Sequence, residues 1–228
     1  MKIFTTLITI VLISSSLVAD TPQLSVRGEA RLSVPADQII LVLGVVTENR
    51  MAKEALSKNN ANMQAVLKAL KGLGLKESDI QTSSFRIDPI WQTKPVSPTP
   101  DWTPTIIAFK VTNTIEVRSD QLSLAGKLID TAIEAGANKV TTLTFGLKNP
   151  QSHRDEAIAK ATAKAISDAQ TIAKAANVTL GEVLNITLDN ASLRPPIAFR
   201  AMQASVPIEA GDVEVTAMVN MEYEIQSH

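Results

Sequence analysis

The feature that most constrains the fold lies near the end of the chain. Val213, Val215, Ala217, Val219, Met221, Tyr223 and Ile225 alternate with Glu214, Thr216, Asn220, Glu222 and Glu224. A period of two over this length requires a β-strand with one face buried and the other in water. Such a strand is stable only inside a sheet whose apolar face is covered by a second layer. The chain therefore has to supply further strands and something amphipathic to lay on them.

Helices meet the second need. Between residues 48 and 73, Ala52, Ala55, Leu56, Met63, Val66, Leu67 and Leu70 recur at three- and four-residue spacing among lysines, and Gly72 or Gly74 stops the helix. A second helix follows Ser119 as N-cap, burying Leu122, Ala125, Leu128, Ile129, Ala132 and Ile133 and ending at Gly136. A third opens where Ser152 and Asp155 have the spacing of a capping box. It runs through Ala157, Ile158, Ala161, Ala165, Ile166, Ala169, Ile172 and Ala173 to a stop near Asn177.

Strands are expected at 23–34, 38–47, 80–88, 106–118, 139–147 and 183–188, with a turn at Pro35-Ala36-Asp37. Two proline-containing stretches, 89–104 and 189–209, read as loops, because proline at this density does not sustain a strand ladder. The fold class is α+β: amphipathic helices packed on mostly antiparallel sheets, in two α/β lobes at roughly 20–104 and 105–228. A short echo between residues 80–85 and 140–145, both ending in Phe, fits two related lobes.

The N-terminus has the layout of a secretory signal: Lys2, an apolar run from Ile3 to Val18, and the small residue Ala19 before Asp20. Ser14, Ser15 and Ser16 interrupt the run, and it falls short of the ~20 apolar residues of a spanning helix. Cleavage near Ala19 is expected, and the 209 residues that follow suffice for one large domain or two small ones sharing a core. None of them forms a segment long and apolar enough to span a bilayer.

The chain has no cysteine, which removes disulfides, thiolate nucleophiles, Cys-based metal sites and a lipid-modified cysteine together. Packing has to hold the fold, and a composition 45% hydrophobic allows it. With 22 basic against 23 acidic residues, scattered along the chain, there is no electrostatic footprint for nucleic acid.

Chemistry-bearing patterns are sparse. His153 stands at a helix start and His228 at the terminus, neither in a metal-ligand spacing. No G-x-S-x-G elbow occurs, and Gly72-Leu-Gly74 follows a helix instead of joining a strand to one. Asp155 and Glu156 suit the first turn of a helix. The sequons at Asn177, Asn185 and Asn190 carry no expectation of glycans. No catalytic residue, cofactor site or metal site is assigned. What remains is a possible interaction loop with Trp91, Trp102, Pro95 and Pro98, whose tryptophans either anchor a partner or fold back as a plug over the sheet.

Three segments resemble a known family. Residues 26–39 (VRGEARLSVPADQI), 111–145 (ending EAGANKVTTLTF) and 156–186 (an Ala-rich helix running into LGEV) follow the order of the SIMPL-domain proteins. Ala108-Phe109 departs from the Gly-Tyr usual there. The resemblance implies a two-lobed α+β fold, a periplasmic location and a loose link to envelope stress; at least one member forms a ring-like or channel-like homo-oligomer. It implies no catalytic residues.

Three functions stay open at this point. The first is a non-enzymatic periplasmic protein that self-assembles by pairing strand edges and supports envelope integrity or oxidative-stress tolerance. The second is a small-ligand or peptide-binding module using the Trp/Pro loop. The third is a hydrolase of envelope polymers using Asp79, Asp88 or Asp155, which needs two carboxyls about 5–10 Å apart in a cleft.

Overall fold

A computed structural model describes residues 22–96, 101–194 and 210–227. The signal-like segment 1–19, Pro98 and His228 lie outside the described residues. The order of elements is β1 (Gln23–Pro35), β2 (Gln38–Asn49), α1 (Ala52–Gly72), β3 (Ile80–Trp91), β4 (Ile106–Ser119), α2 (Ala125–Glu134), β5 (Lys139–Gly146), α3 (Pro150–Ala175), β6 (Val178–Arg194) and β7 (Asp212–Ser227). The strands form two antiparallel sheets, β1-β7-β6 and β3-β4-β2-β5.

The alternating segment is β7, the centre of the first sheet, with Val213, Val215, Ala217, Val219, Met221 and Tyr223 all buried on one face. β1 lies beside it in unbroken register, Val26 opposite Met221 and Val34 opposite Val213. α3 covers this face with one methyl per turn: Ala157, Ala161, Ala165 and Ala169 are wholly buried and Ala173 nearly so. Such a stripe lets a helix approach a sheet closely, and Gly28 of β1 marks the closest point. A Cβ there would run into the carbonyl oxygen of Ala161 and lie 2.7 Å from the backbone nitrogen of Ala165.

In the second sheet Ile39, Leu41, Leu43 and Val45 of β2 are fully buried, facing Val66 and Leu70 of α1 and Leu128 of α2 across one apolar core. Removing each such side chain from water contributes about 1.5–3 kcal/mol. Asn59 of α1 is also fully buried, and its amide nitrogen donates to the carbonyls of Val45 (2.9 Å) and Val111 (3.2 Å), tying the helix to two neighbouring strands.

Strand pairing does not divide the chain at residue 104. β1 leaves its neighbour β2 and joins β6 and β7, so the first sheet unites the two ends of the chain, while β2 to β5 form the second. The crossover is Pro35-Ala36-Asp37, held because the Asp37 amide donates to Gly146 O (3.0 Å) and its carboxylate accepts from Lys148 N (2.6 Å).

Four local expectations are corrected. β3 runs on through Pro89 to Trp91, because it is an edge strand on which a missing N–H costs no ladder bond. β6 spans Val178–Arg194, so residues 189–194 are strand and not loop. Ser119 ends β4, its hydroxyl accepting from Gln121 N, and a short 3-10 turn at Leu122–Leu124 precedes α2. No capping box forms at α3: the helix begins at Pro150 after Asn149, so Ser152 is already inside the first turn and bonds back to Asn149 O (3.1 Å). Asn177, in the left-handed region at φ 55°, closes α3 as expected.

Candidate interaction surface

The second sheet extends into an arm. β2 ends at Asn49 opposite Phe109, whereas β3 and β4 continue to the pair Trp91 and Ile106. The ribbon is closed where Gln92 N donates to Thr105 O (2.8 Å) and the Thr105 hydroxyl donates to Gln92 Oε1 (3.0 Å). Beyond Asn49 no third strand supports it. Trp91 is 52% exposed, Ile106 and Ile107 about half, and Val96 fully. Pro95 is exposed. Nearer the sheet, Phe85 and Ile87 are exposed as well, because β3 lies outside the cover of α1.

The two tryptophans take different roles. Trp91 projects outward, while Trp102 is half-buried, its indole nitrogen shielded and without a hydrogen-bond partner among the described residues. One indole of the loop is thus exposed and the other enclosed. Two clefts stand out in the described structure, and neither includes a tryptophan. One of about 420 Å³ is lined by Gln38, Lys76, Asp79, Arg118, Asp120 and Lys148 among others. A shallower one of about 320 Å³ lies between Ser25–Arg27 of β1 and Asp168, Thr171 and Ile172 of α3. In the first, Lys148 pairs with Asp120 (3.2 Å) and Arg118 with Glu116 (2.8 Å), so two of its three cations are matched within the protein.

Of the three carboxylates considered for hydrolysis, Asp79 lines the first cleft and Asp88 and Asp155 do not. Asp79 caps a 3-10 turn, accepting from Lys76 N (2.8 Å) and Ser78 Oγ (3.2 Å). Asp88 is exposed nine residues further along β3, and Asp155 is exposed on α3, accepting from Gln151 Nε2 (2.7 Å). Glu156 beside it is paired with Lys160 (2.8 Å), and this hydrogen-bonded ammonium lowers its pKa below the ordinary carboxylate value. His153 is half-buried in the first turn of α3, and Gly74, at φ 93°, ends α1. Among the described residues no three His, Asp or Glu side chains are grouped to hold a metal ion.

The sequence motifs fall on joints. Ser33–Asp37 is the crossover between sheets. Gly136, at φ 112°, stops α2, and the Asn138 side chain that follows imitates a strand, accepting from Val46 N (2.7 Å) and donating to Val46 O (2.8 Å). Residues 180–183 form a bulge of β6, where Gly181 lies against Glu224 of β7.

The surface that sequence reasoning missed is on the first sheet. α3 sits mainly over β1 and β7 and meets β6 less, so on the edge strand β6 Leu180, Ala191 and Leu193 are packed against the core while the middle of the same face is left open, with Val183, Ile186 (58%) and Leu188 exposed. Their register opposite the buried Tyr223, Met221 and Val219 shows that they share that apolar face. A break in periodicity at the bulges hid the pattern. No helix among the described residues is long and apolar enough to cross a membrane.

Residues 24–223 match the family model described as "SIMPL: Protein of unknown function (DUF541)". The chain is 35% identical over 213 residues to the 26 kDa periplasmic immunogenic protein of Brucella melitensis, covering 90% of this chain and 85% of that protein. It is 24% identical over 210 residues to the uncharacterized protein YggE of Escherichia coli K12, covering 90% and 82%. The YggE protein of Edwardsiella ictaluri is 25% identical over 190 residues, covering 83% and 77%.

Proposed function

The chain belongs to the SIMPL family, and we propose that it is a non-enzymatic periplasmic protein that self-assembles and supports cell-envelope integrity or oxidative-stress tolerance. The periplasmic location draws on the signal-like N-terminus and on the similarity to the periplasmic immunogenic protein of Brucella. The observation that carries self-assembly is the apolar surface left uncovered on two edge strands, β3 and β6. Contiguous exposed apolar surface of this kind marks an interaction site. The family motifs serve crossover, helix stop and bulge, which supports a role carried by shape and not by reacting groups.

Bulges refine the physical basis. β3 has register shifts after Thr82 and Ile90, and β6 has three. Bulged edges discourage open-ended strand addition, so the contact between copies rests on side chains more than on backbone pairing.

Fractionation followed by chemical cross-linking tests this reading. The protein released by osmotic shock should cross-link into multiples of its own mass, and cells lacking it should lose viability under peroxide or membrane-perturbing stress. Recovery in the cytosol, or a single uncross-linked chain, would remove the corresponding part.

A further inference from the structure

We propose that assembly works by seating the β3–β4 arm of one copy in the corner between α3 and β6 of another. This rests on the self-assembly reading and specifies its contact. Most of the large exposed apolar side chains among the described residues fall in these two places. The arm presents Trp91, Val96, Ile106 and Ile107; the corner presents Ile166, Val183, Ile186 and Leu188.

The corner follows from how α3 is placed and turned. Asp168 and Ile172 line the cleft against β1, so the opposite flank, Ile158, Thr162 and Ile166, is turned toward β6 at i, i+4, i+8 spacing. Ile158 and Thr162 are half-buried and Ile166 is exposed. A helix standing one layer, about 10 Å, above a sheet forms a re-entrant step with the uncovered strand beside it. The floor of that step is the apolar face of β6, and its wall is the Ile166 flank.

The arm has the complementary form. It is a two-stranded ribbon about 5 Å between strands, apolar on both faces: Ile90 and Ile106 fall on one, Phe85, Ile87 and Ile107 on the other. A ribbon apolar on both faces is covered fully only when it enters a step that has both a floor and a wall. Within one chain the two surfaces do not cover each other, because both are exposed. Charge permits the fit. Between residues 178 and 188 the corner strand has one charged residue, Glu182, and the described arm beyond Asp88 has Lys94 and Asp101, so no like-charge cluster opposes contact.

Two substitutions at exposed positions separate this contact from its alternatives: Trp91→Lys in the arm and Ile186→Lys in the corner. Protein purified from the periplasm would be weighed by light scattering, with thermal melts to show that both variants stay folded. Each variant alone should lose assembly and run as one chain. An equimolar mixture should regain a two-chain species, because the intact corner of the Trp91 variant accepts the intact arm of the Ile186 variant. If Ile186→Lys assembles like the unmodified protein while Trp91→Lys does not, the arm meets another arm or a different partner and the proposal is overturned. A mixture that stays monomeric overturns it too, as does assembly of both variants unchanged. If the unmodified protein is itself a single chain, the self-assembly reading fails first and this contact falls with it. Binding of that single chain to phosphatidylglycerol vesicles, lost in Trp91→Lys, would then assign the arm to lipid.

Discussion

Substituting Gly28 by Ala tests the packing on which the first sheet depends. The new methyl would collide with Ala161 O and sit 2.7 Å from Ala165 N and 2.9 Å from Ala165 Cβ, where ordinary contact needs about 3.4–4 Å. Two of the three obstacles are helix backbone, which has no rotamer to adopt. α3 would have to lift by about an ångström, opening gaps along a stripe of five alanines that are each at least 96% buried. Overpacking of this kind costs about 1–3 kcal/mol, and rigid obstacles place Gly28→Ala at the upper end. The lower entropy of the unfolded chain returns about 0.4–1 kcal/mol, leaving a net loss of about 2 kcal/mol. For a chain of this size that lowers Tm by about 4–8 °C. Urea unfolding followed by circular dichroism measures the difference. Gly126→Ala is the internal control: it lies in α2 with nothing within 4 Å of the new Cβ, and helix propensity predicts a gain of up to about 1 kcal/mol. Equal or greater stability of Gly28→Ala would refute the close-approach argument.

Asn138→Ala removes both bonds to the Val46 backbone at a partly solvated sheet end and should cost about 1 kcal/mol in urea unfolding. Asn59→Ala strips a buried donor from two strand carbonyls and leaves a gap under α1, so a loss of about 1–3 kcal/mol is expected by the same assay. Glu156 has a lowered pKa in the folded protein, so its pair with Lys160 stabilises above the unfolded carboxylate pKa and is lost as pH falls through the folded one. Glu156→Gln should therefore flatten the acid limb of thermal stability slightly while leaving melts near pH 3 unchanged.

How much of this was legible depended on how local the cause was. The alternation of residues 213–225 and the spacing in 52–70 contain their own explanation, and β7 and α1 appear where those patterns lie. The sheet partition has no local cause. Residues 23–49 read as two strands and a turn, but which sheet each joins is decided by β7, almost 200 residues away. Along α3 the sequence marks alanines and isoleucines alike as core; Gly28 admits only the alanines, and Ile166 and Ile172 are left outside. Trp91, Trp102 and the prolines read as a surface loop by composition; that residues 89–91 continue β3 instead follows from its place at the sheet edge. Val183, Ile186 and Leu188 gave no sign of their exposure, because the exposure of β6 is set by where α3 comes to rest.

Sedimentation velocity of the mature protein across the micromolar range tests the central claim most directly. A species of more than one chain is expected, which dissociates on dilution and is lost when Trp91 or Ile186 becomes lysine. A single-chain sedimentation coefficient at every concentration would contradict that claim.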